Sequence, residues 1–424
     1  MKILITGATG FVGQRLVETL FSKGYDQINI LTRNKLKAKE ESPFPIQAYN
    51  WDPEKEYIDE DSLDGVDVVI HLAGEGVAEG RWTDKKKEQI LNSRVKGAKL
   101  LIDTIKKSDS PPRKFISASA IGIYKDGQDE TLTTDSGLGN GFLSEVCKRW
   151  EDIALNHGIS QMKSHCLRIG IVLEKHGAAL KKMLPPFKAG VAGNLGNGKQ
   201  YMSWIHLDDL VGQFIFILEN DLRSQIYNGV SPNPVRNREF TKILGKQLSR
   251  PTLFPLPAPI LKLLFGEMSQ ILLESQKIIP NKLMEEGYQF NFETLEAALK
   301  DILKHDTVGE ECLKTYQWIP KDIGEVFEFY SNEKNLERIT PPFLKFKVLG
   351  KNTEEIQEGT LIDYQLKMHG LPIRWQSKIL SFVKGKSFID EQVRGPYGKW
   401  HHTHTFIAIK NGTLIKDEII YKVP

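Results

Sequence analysis

The stretch Ile3-Leu4-Ile5-Thr6-Gly7-Ala8-Thr9-Gly10-Phe11-Val12-Gly13 joins a short apolar strand to a helix through three glycines at every third position. No other part of the chain restricts its fold as much. Glycine is needed at such a junction because the turn is tight, the backbone comes close to a pyrophosphate, and the helix packs directly on its strand. The N–H groups of the first helical turn then face the anion. The pattern predicts a dinucleotide site; the other reading is a plain strand-turn-helix of an α/β protein.

The next segments favour the first reading. A helix over Phe11 to Ser22 breaks at Gly24, and Ile28-Asn29-Ile30-Leu31-Thr32 reads as a second parallel strand. Arg33 follows it, where an acid would suit the ribose 2′-hydroxyl of NAD and a cation suits the 2′-phosphate of NADP. Lys35 and Lys37 lie just beyond, with no acid before Glu40, so the pattern favours NADP(H) over a merely solvated basic loop.

At 424 residues the chain has room for one large α/β domain and a smaller partner. A net charge of +3 gives no reason to expect nucleic acid or a membrane surface, and small-molecule chemistry is the default. Cys147, Cys166 and Cys312 are odd in number and widely spaced, which excludes a disulfide framework and suits a reducing compartment, the cytoplasm. The first strand begins at Lys2, leaving no room for a cleavable signal, and no run approaches the ~18 apolar residues of a membrane span.

Strand-like runs at Val66 to Leu72, Lys114 to Ser119 and Ser164 to Val172 alternate with amphipathic stretches at Lys85 to Lys107 and Leu143 to His157. That alternation predicts a doubly wound parallel sheet. From Leu253 to Asp306 the pattern is mostly helical, and a boundary is expected near 306 to 311. Beyond it one helix, Ile323 to Phe329, precedes strand-like segments at Leu361 to His369, Ile373 to Val383, Ser387 to Gln392, His401 to Lys410 and Thr413 to Lys422, which predicts an antiparallel sheet.

Gly7-x-x-Gly10-x-x-Gly13, His71-Leu72-Ala73-Gly74, Ser117-Ala118-Ser119, Leu167-Arg168 and Trp204-Ile205-His206-Leu207-Asp208-Asp209 resemble, in order and spacing, the extended short-chain dehydrogenases that include nucleotide-sugar epimerases. A narrower resemblance is to an atypical epimerase-like branch, also labelled cell-division-inhibitor-like. It rests on Ser93-Arg94-Val95-x-Gly97, Phe142-Leu143-x-Glu145-Val146-Cys147-x-x-Trp150-Glu151, Gly196-x-Gly198-x-Gln200-x-x-Ser203-Trp204 and Gln276-Lys277-x-x-Pro280-x-Lys282-Leu283. The likeness covers residues 1 to about 304. It implies a Rossmann-like domain over 1–306, with 253–306 as a helical substrate subdomain. Gly7, Ala8, Thr9, Gly10, Phe11, Val12 and Gly13 would hold the pyrophosphate and Arg33 the 2′-phosphate. Leu72, Ala73 and Gly74 would lie by the adenine-side ribose, Arg168 would border the nicotinamide, and Ser119 would orient a substrate hydroxyl.

The chain departs from the family at the acid-base pair. Ordinary members use Tyr-x-x-x-Lys, where the lysine lowers the tyrosine pKa for proton exchange during hydride transfer. If Glu151 aligns with the acid after that motif, Leu143 and Cys147 take the two positions; a shift of one residue gives Phe142 and Val146. Other candidate proton carriers are Tyr124, five residues after Ser119, and Glu145 and Cys147 on the following helix. Their structural readings are a rim aromatic, half of an i,i+4 pair with Arg149, and a small buried hydrophobe. Arg94 stands where better-known relatives place asparagine and would set a carboxylate or phosphate into the site, or else form an ion pair among helices.

Phe327-x-Phe329, Asn335-Leu336-x-x-Ile339-Thr340-Pro341-Pro342, Gly395-Pro396-Tyr397-x-x-Trp400-x-x-Thr403-His404 and the terminal Ile420-x-x-x-Pro424 resemble the START and polyketide-cyclase ligand-binding proteins, in which a curved sheet grips a helix around an apolar cavity. This implies an α+β helix-grip domain over 310–424 holding a hydrophobic ligand, although the further strand and long helix that normally finish such a domain do not follow Pro424. On a strand, His402 and His404 share a face that His401 does not, so sheet surface is expected there and no metal. Likewise His206, Asp208 and Asp209 are expected to cap a helix. The sequence as a whole predicts an NADP(H)-dependent epimerase-like oxidoreductase acting on a carbonyl or hydroxyl compound; the alternative is a non-catalytic NADP(H) sensor or lipid-binding regulator.

Overall fold

A computed structural model of the chain describes residues 1–306, 309–368, 371–409 and 411–423. The expected strand ends at His369 and Lys410, the residues Thr307 and Val308 near the expected boundary, and Pro424 lie outside the described residues. The chain divides into two compact units, residues 1–41 with 46–303 and residues 42–45 with 304–424. Among the described residues no helix is long and apolar enough to cross a membrane.

The first unit is built on eight strands: β1 (Lys2–Thr6), β2 (Gln27–Thr32), β3 (Gln47–Asp52), β4 (Tyr57–Ile58), β5 (Val68–His71), β6 (Lys114–Ala120), β7 (Lys163–Ile169) and β8 (Ile226–Gly229). Their order across the sheet is β8-β7-β6-β5-β1-β2-β3-β4, parallel except for the β3–β4 edge pair. The chain winds one way from β1 through β2 to β3 and the other way from β5 to β8. The sheet therefore reverses its winding between β1 and β5, and the crevice at the carboxyl ends of these two strands is where doubly wound sheets bind ligands. Runs such as Leu4, Val69 and Phe115 are buried because helices cover both faces.

Helices α1 (Phe11–Ser22) and α4 (Leu207–Glu219) pack against each other, as do α2 (Asp84–Lys106) and α3 (Phe142–Leu155). Leu101, Ile102 and Ile105 of α2 and Ala154 of α3 form one core with Leu4, Val69 and Phe115. The expected strand Ser164 to Val172 is two pieces. β7 ends at Ile169, and Ile171–Leu173 leaves the sheet to pair with Trp204–His206. Gly170 permits the departure, since a Cβ there would lie 2.5 Å from the Ser203 carbonyl oxygen. The stretch expected to be mostly helical holds only short helices, among them Ala258–Phe265 and Leu295–Ile302, because Pro255, Pro257 and Pro280 interrupt it.

The second unit is an antiparallel sheet of seven strands among the described residues: β9 (Glu311–Ile319), β10 (Lys347–Lys351), β11 (Leu361–Met368), β12 (Leu371–Val383), β13 (Ser387–Arg394), β14 (Lys399–Ile409) and β15 (Gly412–Lys422). Sequence alternation missed β9 and β10. β9 pairs along its whole length with β15, and that long-range partner makes it a strand. Helix α5 (Ile323–Tyr330), capped by Asp322, places Phe327 edge-on to Phe382, Phe388 and Phe406. The long helix of a helix-grip domain is not found among the described residues.

Lys114 opens β6 with its side chain buried. Its ammonium donates to the carbonyls of Ile217 (2.6 Å), Leu218 (3.1 Å) and Asn220 (2.7 Å), tying the negative end of α4 to the sheet. Lys114→Met should lower unfolding free energy by roughly 2–4 kcal/mol in urea titrations, because these carbonyls lose a charged donor. A loss below about 0.5 kcal/mol, typical of a plain surface change, would remove this role.

Candidate functional site

At the carboxyl end of β1 the chain turns through Gly7 at φ +69°, the left-handed region that favours glycine. A Cβ on Gly7 would lie 2.9 Å from the Ala73 nitrogen, and one on Gly13 would lie 2.2 Å from the Gly7 carbonyl oxygen. Both glycines are thus forced by backbone packing. Gly10 precedes α1 without a side-chain cap, so no side chain occupies the first-turn N–H groups. Ala8 is buried, Thr9 and Gly10 are exposed, and the Phe11 ring sits where a Cβ on Gly177 would be.

The loop after β5 is held against this turn. Thr6 Oγ1 lies 2.7 Å from His71 Nδ1 and accepts from the amides of Leu72 and Ala73, both at 3.2 Å. A hydroxyl accepting two amides gives its own proton to the imidazole, so His71 Nδ1 is the acceptor and the ring is neutral. Burial, aided by the Arg94 charge, depresses the His71 pKa to about 3. Arg33, just past β2, is exposed. β2 lies beside β1 in parallel register, Leu31 opposite Thr6.

Toward the carboxyl ends of β6, β7 and β8 lies a buried polar network. Ser119 Oγ, on β6, donates to Glu151 Oε1 of α3 at 2.6 Å. Arg168, on β7, grips the same carboxylate with Nε and Nη2, each at 2.8 Å, and gives Nη1 to the Tyr124 hydroxyl at 2.8 Å. Tyr124 in turn donates to Asn228 Oδ1 of β8 at 2.7 Å. The Glu151–Arg168 side chains are 8% and 4% exposed, and their desolvation is offset by this bidentate geometry together with the hydrogen bonds from Ser119 and to Tyr124. Burial raises the pKa of Tyr124, and that of Cys147 to about 11.

Ser119, Tyr124, Cys147 and Arg168 are therefore brought together, and Glu145 is not. Glu145 is exposed and pairs with Arg149 one turn on, at 2.6 Å. The Arg168 guanidinium directs its donors into the fold, so its contribution to any cofactor pocket runs through the network or its backbone. Leu143 packs on the loop after β6, where a Cβ on Gly122 would meet it at 3.1 Å. Arg94 is partly buried, donates to the carbonyls of Glu75 and Ile90, lies over the Trp150 ring, and makes no ion pair with a carboxylate among the described residues. Burial lowers its pKa. His206 accepts from the Asp208 amide and caps α4, while Asp209 accepts from the amides of Asn291 and Phe292. Glu151 and Asn228 escaped sequence reasoning as site residues. Glu151 stands four residues after Cys147 on the inward face of α3, a charge at a core position, and that was the available signal.

The sequence matches the family model of the NAD dependent epimerase/dehydratase family over residues 3–141 and that of a domain of unknown function (DUF1731) over residues 256–302. The chain is 37% identical over 309 residues to "Epimerase family protein SDR39U1 homolog, chloroplastic" of Arabidopsis thaliana, covering 72% of this chain and 87% of the relative. It is 34% identical to "Epimerase family protein SDR39U1" of Mus musculus, covering 72% of this chain and 100% of the relative. Among solved structures, human epimerase family protein SDR39U1 (isoform 2) with NADPH superposes with a TM-score of 0.63 at 30% identity, covering 72% of this chain and 99% of that one.

The depressed His71 pKa sets an acid limit. In the unfolded chain histidine titrates near 6.5, in the fold near 3, so between these values the unfolded state holds the extra proton. Stability from the neutral ring is complete above about pH 6.5 and is lost as pH falls toward 3, by an amount approaching roughly 5 kcal/mol. His71→Asn should flatten the fall of unfolding free energy between pH 6 and 4 by about one proton relative to the parent. Parallel curves would show that His71 does not titrate as assigned.

Proposed function

The chain belongs to the NAD-dependent epimerase/dehydratase family, and on that premise we propose that it binds NADP(H) and acts as an epimerase-like oxidoreductase on an anionic carbonyl or hydroxyl compound. The glycine cradle carries this reading. Gly7 and Gly13 sit where any Cβ would strike backbone, and the uncapped first turn of α1 leaves its amides to the pyrophosphate. Arg33 offers an exposed guanidinium at the end of β2 to the 2′-phosphate, and Leu72-Ala73-Gly74 lines the other side of the turn. A bound nicotinamide would supply or accept the hydride. Cysteines that form no disulfide among the described residues suit a reducing compartment such as the cytoplasm.

The chain's own residues then handle binding and the proton. Raised pKa values keep the Tyr124 phenol and the Cys147 thiol protonated at neutral pH, so either can give a proton to a substrate oxygen and neither is a base. Ser119, whose proton goes to Glu151, keeps lone pairs for a substrate hydroxyl. Arg94, next to Gly74 and with no carboxylate ion pair among the described residues, fits a carboxylate or phosphate of the substrate. A second reading, a non-catalytic NADP(H) sensor, draws on the engagement of both the Ser119 and Tyr124 hydroxyls in the closed network. For the second unit we propose a hydrophobic ligand, on the strength of its START-like sequence and an interior that includes Phe327, Phe388, Phe406 and Ile415.

Arg33→Ala should weaken NADPH by about 1.5–3 kcal/mol, as for a hydrogen bond to a charged group, and NADH far less. Equal losses in calorimetry would remove the 2′-phosphate assignment. Incubated with NADPH and a panel of carbonyl compounds, the protein should oxidise the cofactor fastest with carboxylated or phosphorylated ones. Arg94→Gln should raise KM for these more than for neutral ones, and Tyr124→Phe or Cys147→Ala should lower kcat for whichever group is the donor. Tight NADPH binding with no turnover on any carbonyl would favour the sensor.

A further inference from the structure

Strands β13, β14 and β15 bring four ionisable side chains to one face of the second unit. Asp390 stands opposite His402, and His404 opposite Asp417, in the antiparallel register. Two residues along the same strands are Phe388, Phe406 and Ile415, which pack with Phe327 of α5, so the cluster continues that inward face. The side chains of Asp390, His402, His404 and Asp417 are 17%, 18%, 12% and 21% exposed, enclosed but not sealed.

The nitrogens sort into two sets. His402 Nδ1 lies 3.6 Å and His404 Nε2 3.4 Å from the same oxygen, Asp390 Oδ2, and one ligand atom from each of the three residues falls within 4.8 Å of the other two. With metal-ligand bonds of about 2.0–2.2 Å, neighbouring ligand atoms of a tetrahedral site are about 3.3–3.6 Å apart. The opposite nitrogens, His402 Nε2 and His404 Nδ1, face Asp417 Oδ1 at 3.4 Å and 2.6 Å. These three buried atoms have no well-aligned hydrogen bond among the described residues. Asp390 is itself oriented: its other oxygen takes the Ser377 hydroxyl at 3.4 Å, and Ser377 takes the Trp375 indole N–H at 3.0 Å.

We propose that Asp390, His402 and His404 bind a divalent transition metal ion through Oδ2, Nδ1 and Nε2, with Asp417 orienting the two imidazoles from behind. Two neutral imidazoles and a carboxylate suit zinc or iron(II) and leave a coordination position open. Ligation by one ring nitrogen leaves the ring's proton on the other, on the side of Asp417, where a small rotation of each ring would let that outer carboxylate hold both ligating histidines. His401 takes no part: it sits on the other side of the strand, 3.3 Å from Glu391.

The test uses the full chain, stripped with a chelator and titrated with zinc and then cobalt(II). One equivalent should bind per chain with release of protons, and cobalt should give visible d–d bands without the near-ultraviolet band of thiolate ligation. Asp390→Asn and His404→Gln should each weaken zinc by more than the roughly 10–100-fold expected when an outer-shell partner such as Asp417 is changed to Asn, while His401→Gln should bind as the parent does. A variant that fails to fold leaves the parent protein to decide, through an anomalous-scattering peak at the zinc edge, expected between Asp390, His402 and His404. The proposal is overturned by no uptake at tenfold excess metal, by a thiolate band, by a peak elsewhere, or by equal loss in His401→Gln.

Discussion

The first unit depends on the contact between Thr6 and His71 at the point where the sheet reverses its winding. One hydroxyl, buried at the end of β1, gives its proton to a neutral imidazole and accepts two amides of the next loop. That arrangement brings Ala73 so close to Gly7 that no Cβ fits between them. The glycine turn, the loop at 72–74 and the start of α1 therefore hold their relative positions through one side-chain pair. An imidazolium could not accept the Thr6 proton, so the pocket's shape is linked to a protonation state.

Below the pocket the fold maintains a buried ion pair. Removing one partner of such a pair typically costs about 3–5 kcal/mol, because the other charge stays behind without compensation. Glu151 and Arg168 escape that penalty by a bidentate grip and by drawing in Ser119, Tyr124 and, through Tyr124, Asn228. The network spans β6, α3, β7 and β8, so it aligns the strand ends that floor the crevice. Beside it, Leu143 and Cys147 make the first turns of α3 apolar, and burial keeps the Cys147 thiol proton-bearing.

The second unit places its charges by a different rule. Adjacent antiparallel strands set residues opposite one another, and side chains two apart share a face. His402 and His404 thus meet Asp390 on one side and Asp417 on the other, although these acids lie more than ten residues away in the chain. Aromatic rings surround the group, with Phe388 stacked on His404 at 4.2 Å and Trp400 edge-on to His402 at 6.3 Å.

Where an element follows from its immediate neighbours, the sequence alone was sufficient. Gly7, Gly10 and Gly13 mark a strand-turn-helix, Arg33 follows β2 directly, and the alternation of apolar runs specifies a parallel sheet. Periodicity also located most of the second sheet, but not β9, whose own residues alternate weakly and whose state is decided by β15 about a hundred positions on. The pairing of Glu151 with Arg168, the turning outward of Glu145, and the meeting of Asp390 and Asp417 with two histidines depended on the tertiary structure. Each is an interaction between charges from separate elements, and its energy depends on distance and burial that no local pattern of residues encodes.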